Sequence, residues 1–129
     1  MSNSHIAKAY LKIGCPYSFK FLMFMSEAGL TDQIEIVGCD PADAEAYDQL
    51  KESIKAKTGV AMTFPTVEIE PDVYLADSEG LIDYYAAKNG ISDTNPPILA
   101  FYRESIYTTM INRKQELFEL KQQLAAVVA

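Results

Sequence analysis

The run Cys15-Pro16-Tyr17-Ser18 carries the clearest chemical pattern in the sequence. It lies between a short apolar run and a stretch with helical spacing, so Cys15 is predicted at the N-terminus of a helix. There, free N–H groups and the helix dipole favour a thiolate, which is the form that attacks disulfides and electrophiles. The hydroxyls of Tyr17 and Ser18 can hydrogen-bond a sulfur, either that of Cys15 or that of a ligand. The alternative is a buried cysteine that packs as a small apolar side chain.

Two later motifs contain residue types that suit ligand binding. Phe64 and Pro65 precede a predicted strand, and Asp77 and Ser78 precede a predicted helix. The free N–H groups at the start of a helix suit a carboxylate. Each motif also has a simpler interpretation: Pro65 is then a turn proline, and Asp77 with Ser78 is a helix cap.

The elements that would position these residues follow from apolar spacing and from Gly, Pro, Asp and Asn turn signals. The predicted order is strand 6–13, a helix from residue 15 to before Gly29, strand 34–39, helix 44–57, a hairpin of 66–70 with 73–76, and a helix from residue 77 or 78 to 89. A long helix, with one break at most, follows over 98–128. We predict one α/β domain at 1–91 and a C-terminal helical extension at 92–129 that packs on it.

Together these motifs resemble those of glutaredoxins and of the N-terminal domain of cysteine-containing glutathione S-transferases. The run from Cys15 to Ser18 resembles their active-site turn. The Phe64-Pro65 pair resembles the turn before the third strand, where the family has a cis proline. The Asp77-Ser78 pair resembles the acidic-Ser pair that grips the γ-glutamyl group. The resemblance covers roughly residues 6–90.

The resemblance implies a thioredoxin-like βαβ-ββα fold with a mixed four-stranded sheet and a glutathione site. Glutathione would be a substrate or co-substrate. The implied catalytic residues are Cys15, Tyr17 and Ser18, and the implied glutathione-binding residues are Phe64, Pro65, Asp77 and Ser78.

The sequence departs from these families in two ways. Ser18 stands where dithiol glutaredoxins have a second cysteine, so the resemblance implies a monothiol route through a mixed disulfide with glutathione. Transferases add a large helical domain that builds the electrophile pocket, whereas only residues 95–129 follow here. The resemblance therefore does not by itself imply an independent transferase activity. Two functions stay open: thiol-disulfide exchange or glutathione conjugation at Cys15, and a non-catalytic module for protein–protein interaction or dimerisation. The apolar final helix favours a homodimer.

Composition and cysteine use exclude several other classes of function. The formal net charge of −7 opposes nucleic-acid binding, which needs clustered Lys and Arg. No apolar run reaches the roughly 18 residues of a membrane span, and no secretory signal is recognised, so we expect a cytoplasmic protein. A single histidine, His5, predicts no metal cluster. Cys39 ends the second strand near Cys15, as a semi-buried structural thiol or a resolving thiol.

Overall fold

The central sheet has four strands and mixes parallel with antiparallel pairing, as predicted. The computed structural model describes residues 5–128, so the ends of the two predicted domains, residues 1–4 and 129, lie outside it. The strands are β1 (Ala7–Lys12), β2 (Ile34–Cys39), β3 (Thr66–Glu70) and β4 (Val73–Ala76), in the spatial order β2-β1-β3-β4. Strand β1 pairs in parallel with β2, whereas β3 pairs antiparallel with β1 and β4. The sheet is therefore the predicted βαβ-ββα arrangement.

Three helices alternate with these strands, and local sequence signals explain where they begin and end. Helix α1 (Pro16–Glu27) begins with a proline, whose missing N–H would have no partner in the first turn. Helix α2 (Ala44–Thr58) ends at Gly59, which takes the left-handed conformation that glycine adopts without steric cost. Helix α3 (Ser78–Lys88) begins after Asp77, whose carboxylate caps it.

The hydrophobic core joins the sheet to α1 and α3. Ala9 of β1 and Val67 of β3 are fully buried, together with Phe21 and Phe24 of α1 and Leu81 of α3. Phe21 and Phe24 of α1 thus pack in the core, whereas Phe19 of the same helix is half-exposed. This packing fixes the starts of α1 and α3 relative to the sheet, where the run from Cys15 to Ser18 and the Asp77-Ser78 pair lie.

The C-terminal segment is one long helix interrupted once. Helix α4 (Pro97–Tyr102) is followed by a π-helical segment (Arg103–Tyr107), which we call the π turn. Helix α5 (Thr108–Val128) continues directly from it. Leu99 and Tyr102 belong to the same core as α1 and α3, so α4 is anchored on the domain. Most of α5 has no such cover, and its apolar side chains are largely exposed.

Candidate functional site

The turn that carries Cys15 points its sulfur at backbone groups. Cys15 is the N-cap residue of α1, and the Ser18 N–H donates to its Sγ at 3.5 Å. The thiol is half-buried and is not part of a disulfide. A backbone N–H aimed at sulfur is a donor that a thiolate would use, so this turn has the geometry expected of a nucleophilic cysteine.

The turn that carries Phe64 and Pro65 lies directly against this thiol. The peptide bond between them is cis, as the family resemblance implies. The Phe64 carbonyl oxygen lies 4.0 Å from the Cys15 Sγ. Thr66 Oγ1 donates to the Thr63 carbonyl oxygen at 2.6 Å, and the Tyr47 ring of α2 stacks on the Phe64 ring at 5.6 Å. These contacts hold the Phe64 backbone beside the sulfur.

The third motif opens α3 on the same side of the molecule. The Asp77 carboxylate accepts from the Gly80 N–H at 3.0 Å, which is the capping bond expected from the sequence. The backbone of Asp77 has a φ of 78°, a region that residues other than glycine rarely occupy and that recurs at functional sites. Ser78, the first helical residue, is buried at 4% exposure.

These motifs meet in one polar cleft of about 300 Å³. Its walls are formed by Tyr17, Thr63, Phe64, Ala76, Asp77 and Ser78. The cleft adjoins the thiol, because its wall residue Phe64 also contacts the Cys15 sulfur. Residues from three separate parts of the sequence are therefore brought together, as the sequence motifs predict.

A second, apolar cavity of about 450 Å³ includes Cys15 in its wall. The turn that carries Cys15 and helix α1 form one side of it, with Pro16 and Phe19 among the lining residues. Tyr102, Ile106 and Met110 of the C-terminal segment form the opposite side. The Tyr102 hydroxyl donates to the Pro16 carbonyl oxygen at 2.8 Å, so the C-terminal segment is tied to the Cys15 turn. Sequence analysis did not predict this cavity.

Ser18 and Tyr17 occupy the site in ways that the sequence alone did not define. Ser18 is 3% exposed, and its hydroxyl accepts from the Lys12 N–H at 3.1 Å, which anchors the turn to the end of β1. Its contact with Cys15 runs through the backbone N–H instead. The Tyr17 side chain lines the cleft, and its ring meets that of Tyr107 edge to face at 5.8 Å.

Cys39 is a buried free thiol at the end of β2. Its Sγ donates to the Val37 carbonyl oxygen at 3.4 Å, and burial raises the pKa of this thiol. A raised pKa disfavours the thiolate, so these features favour the structural role over the resolving role.

The sequence analysis missed a charged cluster that is centred on Glu79, the residue after Ser78 of the cleft wall. The Lys20 ammonium lies 2.8 Å from the Glu79 carboxylate, and Arg103 donates two hydrogen bonds to the same carboxylate at 2.9 and 3.1 Å. Burial alone would raise the pKa of Glu79, but the hydrogen bonds and charges of these two cations outweigh burial and lower it. One signal was present in the sequence: Lys20 interrupts the most apolar part of α1, and a buried lysine needs a partner.

Two other kinds of site are not found among residues 5–128. No group of three or more His, Cys, Asp or Glu side chains there is placed to hold a metal ion. None of the helices in this range combines the length and the apolar composition needed to cross a membrane.

Comparisons with known proteins agree with this architecture. No family model matches the chain, and no curated protein sequence matches it either. Among solved structures, a possible glutathione S-transferase from Rhodopseudomonas palustris is similar over 68% of this chain and 42% of its own, with 24% identity and a TM-score of 0.51. A glutathione transferase homologue from Sulfitobacter, with bound glutathione, is similar over 79% of this chain and 47% of its own, with 28% identity and a TM-score of 0.51. The chain thus spans less than half the length of either protein.

Proposed function

We propose that this chain, which has the thioredoxin-like fold of glutathione S-transferase homologues, binds glutathione in the polar cleft and uses Cys15 as a monothiol nucleophile. One observation carries the proposal. The Cys15 sulfur lies 4.0 Å from the Phe64 carbonyl oxygen, and Phe64 shares its cleft with Asp77 and Ser78. The similar structure from Sulfitobacter, which contains bound glutathione, supports glutathione as the ligand.

Each part of glutathione has a complementary group in the cleft. The backbone of Phe64 would pair with the cysteinyl peptide groups and so bring the ligand sulfur to Cys15. The γ-glutamyl carboxylate would accept hydrogen bonds from Ser78 and the first N–H groups of α3. Asp77 keeps carboxylate lone pairs for the γ-glutamyl ammonium beyond the one that accepts from Gly80.

Positive charge for the second carboxylate is available around the Tyr47 ring, which stacks on Phe64. The ammonium groups of Lys12 and Lys51 lie 5.8 and 5.2 Å from the centre of the Tyr47 ring, which stacks on Phe64. A glycyl carboxylate that extends past Phe64 would be attracted to these two lysines.

The exchange reaction needs only one protein thiol. The Cys15 thiolate attacks the glutathione sulfur of a mixed disulfide, forms a Cys15–glutathione disulfide and expels the other thiolate. A second glutathione thiolate then attacks the glutathione sulfur of that adduct, which yields glutathione disulfide and restores the Cys15 thiolate. Ser18 in place of a second cysteine leaves this as the route within the turn. A cytoplasmic location suits it, because thiols stay reduced there.

The apolar cavity beside Cys15 favours an apolar second substrate. In conjugation that substrate would be an electrophile held against Phe19 and Met110, and in exchange it would be the apolar part of a mixed disulfide. Either substrate would lie beside the Cys15 sulfur, because Cys15 forms part of the cavity wall.

Mass spectrometry after incubation with oxidised glutathione tests the proposal. We expect one glutathionyl adduct on the wild-type protein and on Cys39→Ser, and none on Cys15→Ser. Calorimetry with reduced glutathione should detect binding in all three proteins, because the cleft walls remain. A protein that neither forms the Cys15 adduct nor binds glutathione would contradict the proposal.

A second candidate function is self-association through α5. Its apolar side chains are unusually exposed, with Leu117 at 53%, Leu120 at 61% and Leu124 at 64%. Exposed apolar stripes of this kind usually become interfaces. We infer a homodimer, to be tested by sedimentation: the wild type should sediment as a dimer and Leu120→Glu as a monomer. A wild-type monomer at high concentration would remove this candidate.

A further inference from the structure

Lys20 is a buried cation for which the proposed reaction has no use. It lies in the second turn of α1, and only 3% of its surface is exposed. Lysine is almost never buried to this degree without partners, because removing an ammonium from water is costly.

The partners of Lys20 come from two other helical segments. Its Nζ lies 2.8 Å from Glu79 Oε2 in α3, and it donates to the Tyr107 hydroxyl at 3.2 Å. The same Nζ lies 4.5 Å from the centre of the Tyr107 ring, within cation–π range. A single ammonium group thus connects the helix that begins at Cys15 with α3 and the π turn.

Both partners adjoin residues that form the walls of the cleft. Glu79 directly follows Ser78, the candidate γ-glutamyl residue. Tyr107 packs edge to face on the Tyr17 ring at 5.8 Å, and Lys20 Nζ lies 5.8 Å from the centre of that ring. Two residues of the cleft wall, Tyr17 and Ser78, are therefore linked to Lys20 through its partners.

The charge of the cluster also suits an anionic ligand. Lys20 and Arg103 share the one carboxylate of Glu79, so the three groups together carry one net positive charge. The carboxylate that both cations share belongs to Glu79, the residue next to Ser78, where the proposed function places the ligand carboxylate. Attraction between the net positive charge and the ligand carboxylate is weakly screened, because Lys20 is buried.

We propose that Lys20 is a positioning residue of the glutathione cleft, acting through Glu79 on Ser78 and through Tyr107 on Tyr17. The inference rests on the proposed function. It adds a specificity element that recognises the carboxylate of the ligand without touching it. Cys15 itself lies outside this assembly, since its sulfur contacts the Phe64 carbonyl and the Ser18 N–H.

Two measurements on Lys20→Met test the proposal, with Lys20→Arg as the conservative variant. Glutathione affinity measured by calorimetry should fall by about tenfold or more in Lys20→Met, because the cluster loses its net positive charge and Glu79 loses the salt bridge that positions it, and Lys20→Arg should recover most of it. The rate at which iodoacetamide alkylates Cys15 should stay within about twofold of wild type. This small reagent is neutral and does not need the residues proposed to bind the ligand carboxylate. Lys121→Met removes an exposed lysine of α5 and should change neither quantity.

The outcomes separate this inference from the proposed function. If the wild type binds glutathione and folded Lys20→Met binds it equally well, the positioning role is wrong while the proposed function stands. If affinity and alkylation fall together, Lys20 supports the whole site and the specific role is also wrong. If the wild type does not bind glutathione, the proposed function fails and the inference fails with it.

Tyr107→Phe covers the case in which Lys20→Met does not fold. This variant keeps the ring but removes the hydroxyl that accepts from Lys20, so we expect about threefold weaker glutathione binding. Wild-type affinity in Tyr107→Phe would then overturn the proposal.

Discussion

The polar cleft and the apolar cavity that flank Cys15 are built in different ways. Every residue that lines the cleft lies between Tyr17 and Ser78, within the thioredoxin-like part of the chain. The cavity needs Tyr102, Ile106 and Met110 from the C-terminal segment for its second side. A change at Met110 can therefore alter the cavity and leave the cleft intact, unlike a change at Tyr107, which contacts Lys20.

This difference assigns separate tasks to the two parts of the chain. The cleft has backbone and hydroxyl groups at fixed positions, which suits recognition of a peptide. The cavity is lined almost entirely by apolar side chains, which suits ligands that differ in shape but share low polarity. Glutathione recognition and second-substrate choice should consequently be separable by mutation.

The largest expected effect is a difference in alkylation rate between two thiols. Cys15 lies beside both regions, whereas Cys39 lines neither of them. Cys15 should react with iodoacetamide on the order of a hundredfold faster than Cys39, because Cys39 is 6% exposed and burial raises its pKa. Peptide mapping after timed alkylation measures both rates. Urea should remove the difference, and similar rates in the native protein would contradict the described burial of Cys39.

Ser78→Ala should weaken ligand binding in the cleft and leave ligand binding in the cavity unchanged. Loss of a hydroxyl that binds a carboxylate is expected to weaken glutathione binding by about tenfold or more, since hydrogen bonds to charged groups contribute about 1.5–3 kcal/mol. Calorimetry provides the measurement. Thr63→Ala is the matched control, because its side chain lies in the same wall but is not assigned to the ligand. Equal losses in both variants would mean that Ser78 has no special role.

Met110→Glu should weaken ligand binding in the cavity and leave ligand binding in the cleft unchanged. A carboxylate in the apolar wall is expected to weaken binding of an apolar fluorescent dye by about fivefold. Glutathione affinity should stay unchanged. Thr109→Glu adds the same charge to the neighbouring residue, which does not line the cavity, and should affect neither ligand. A drop in glutathione affinity in Met110→Glu would show that the two regions are coupled.

The smallest expected effect concerns the acid stability of the charged cluster that Glu79 forms with Lys20 and Arg103. Because the pKa of Glu79 is lowered in the folded protein by Lys20 and Arg103, the stabilising effect of its charge is complete above the ordinary glutamate value of about 4.3. It is lost as the pH falls through the lower folded value. Glu79→Gln should therefore lose less stability than wild type between pH 7 and about pH 3.5, by at most about 1 kcal/mol. Urea midpoints at the two pH values test this, and parallel losses would contradict it.

Local patterns in the sequence were sufficient for the order of the elements and for the starts of the helices near the site. Pro16 after Cys15, Asp77 before Ser78 and Gly59 after α2 act on their immediate neighbours, so their effects can be predicted without a tertiary structure. The family resemblance added the cis bond before Pro65 and the convergence of the three motifs, which the geometry then showed.

Contacts that no local sequence pattern specifies decided the features that the sequence analysis missed. Lys20 donates to Tyr107, 87 positions further along the chain, and the apolar cavity gains its second side only where the C-terminal segment passes the Cys15 turn. The Ser18 hydroxyl bonds the end of β1 and not a sulfur, because folding brings the Lys12 N–H within its reach. Apolar spacing predicts that a helix has a buried face, but only the packed molecule shows which side chains meet on it, since many partners are compatible with one pattern.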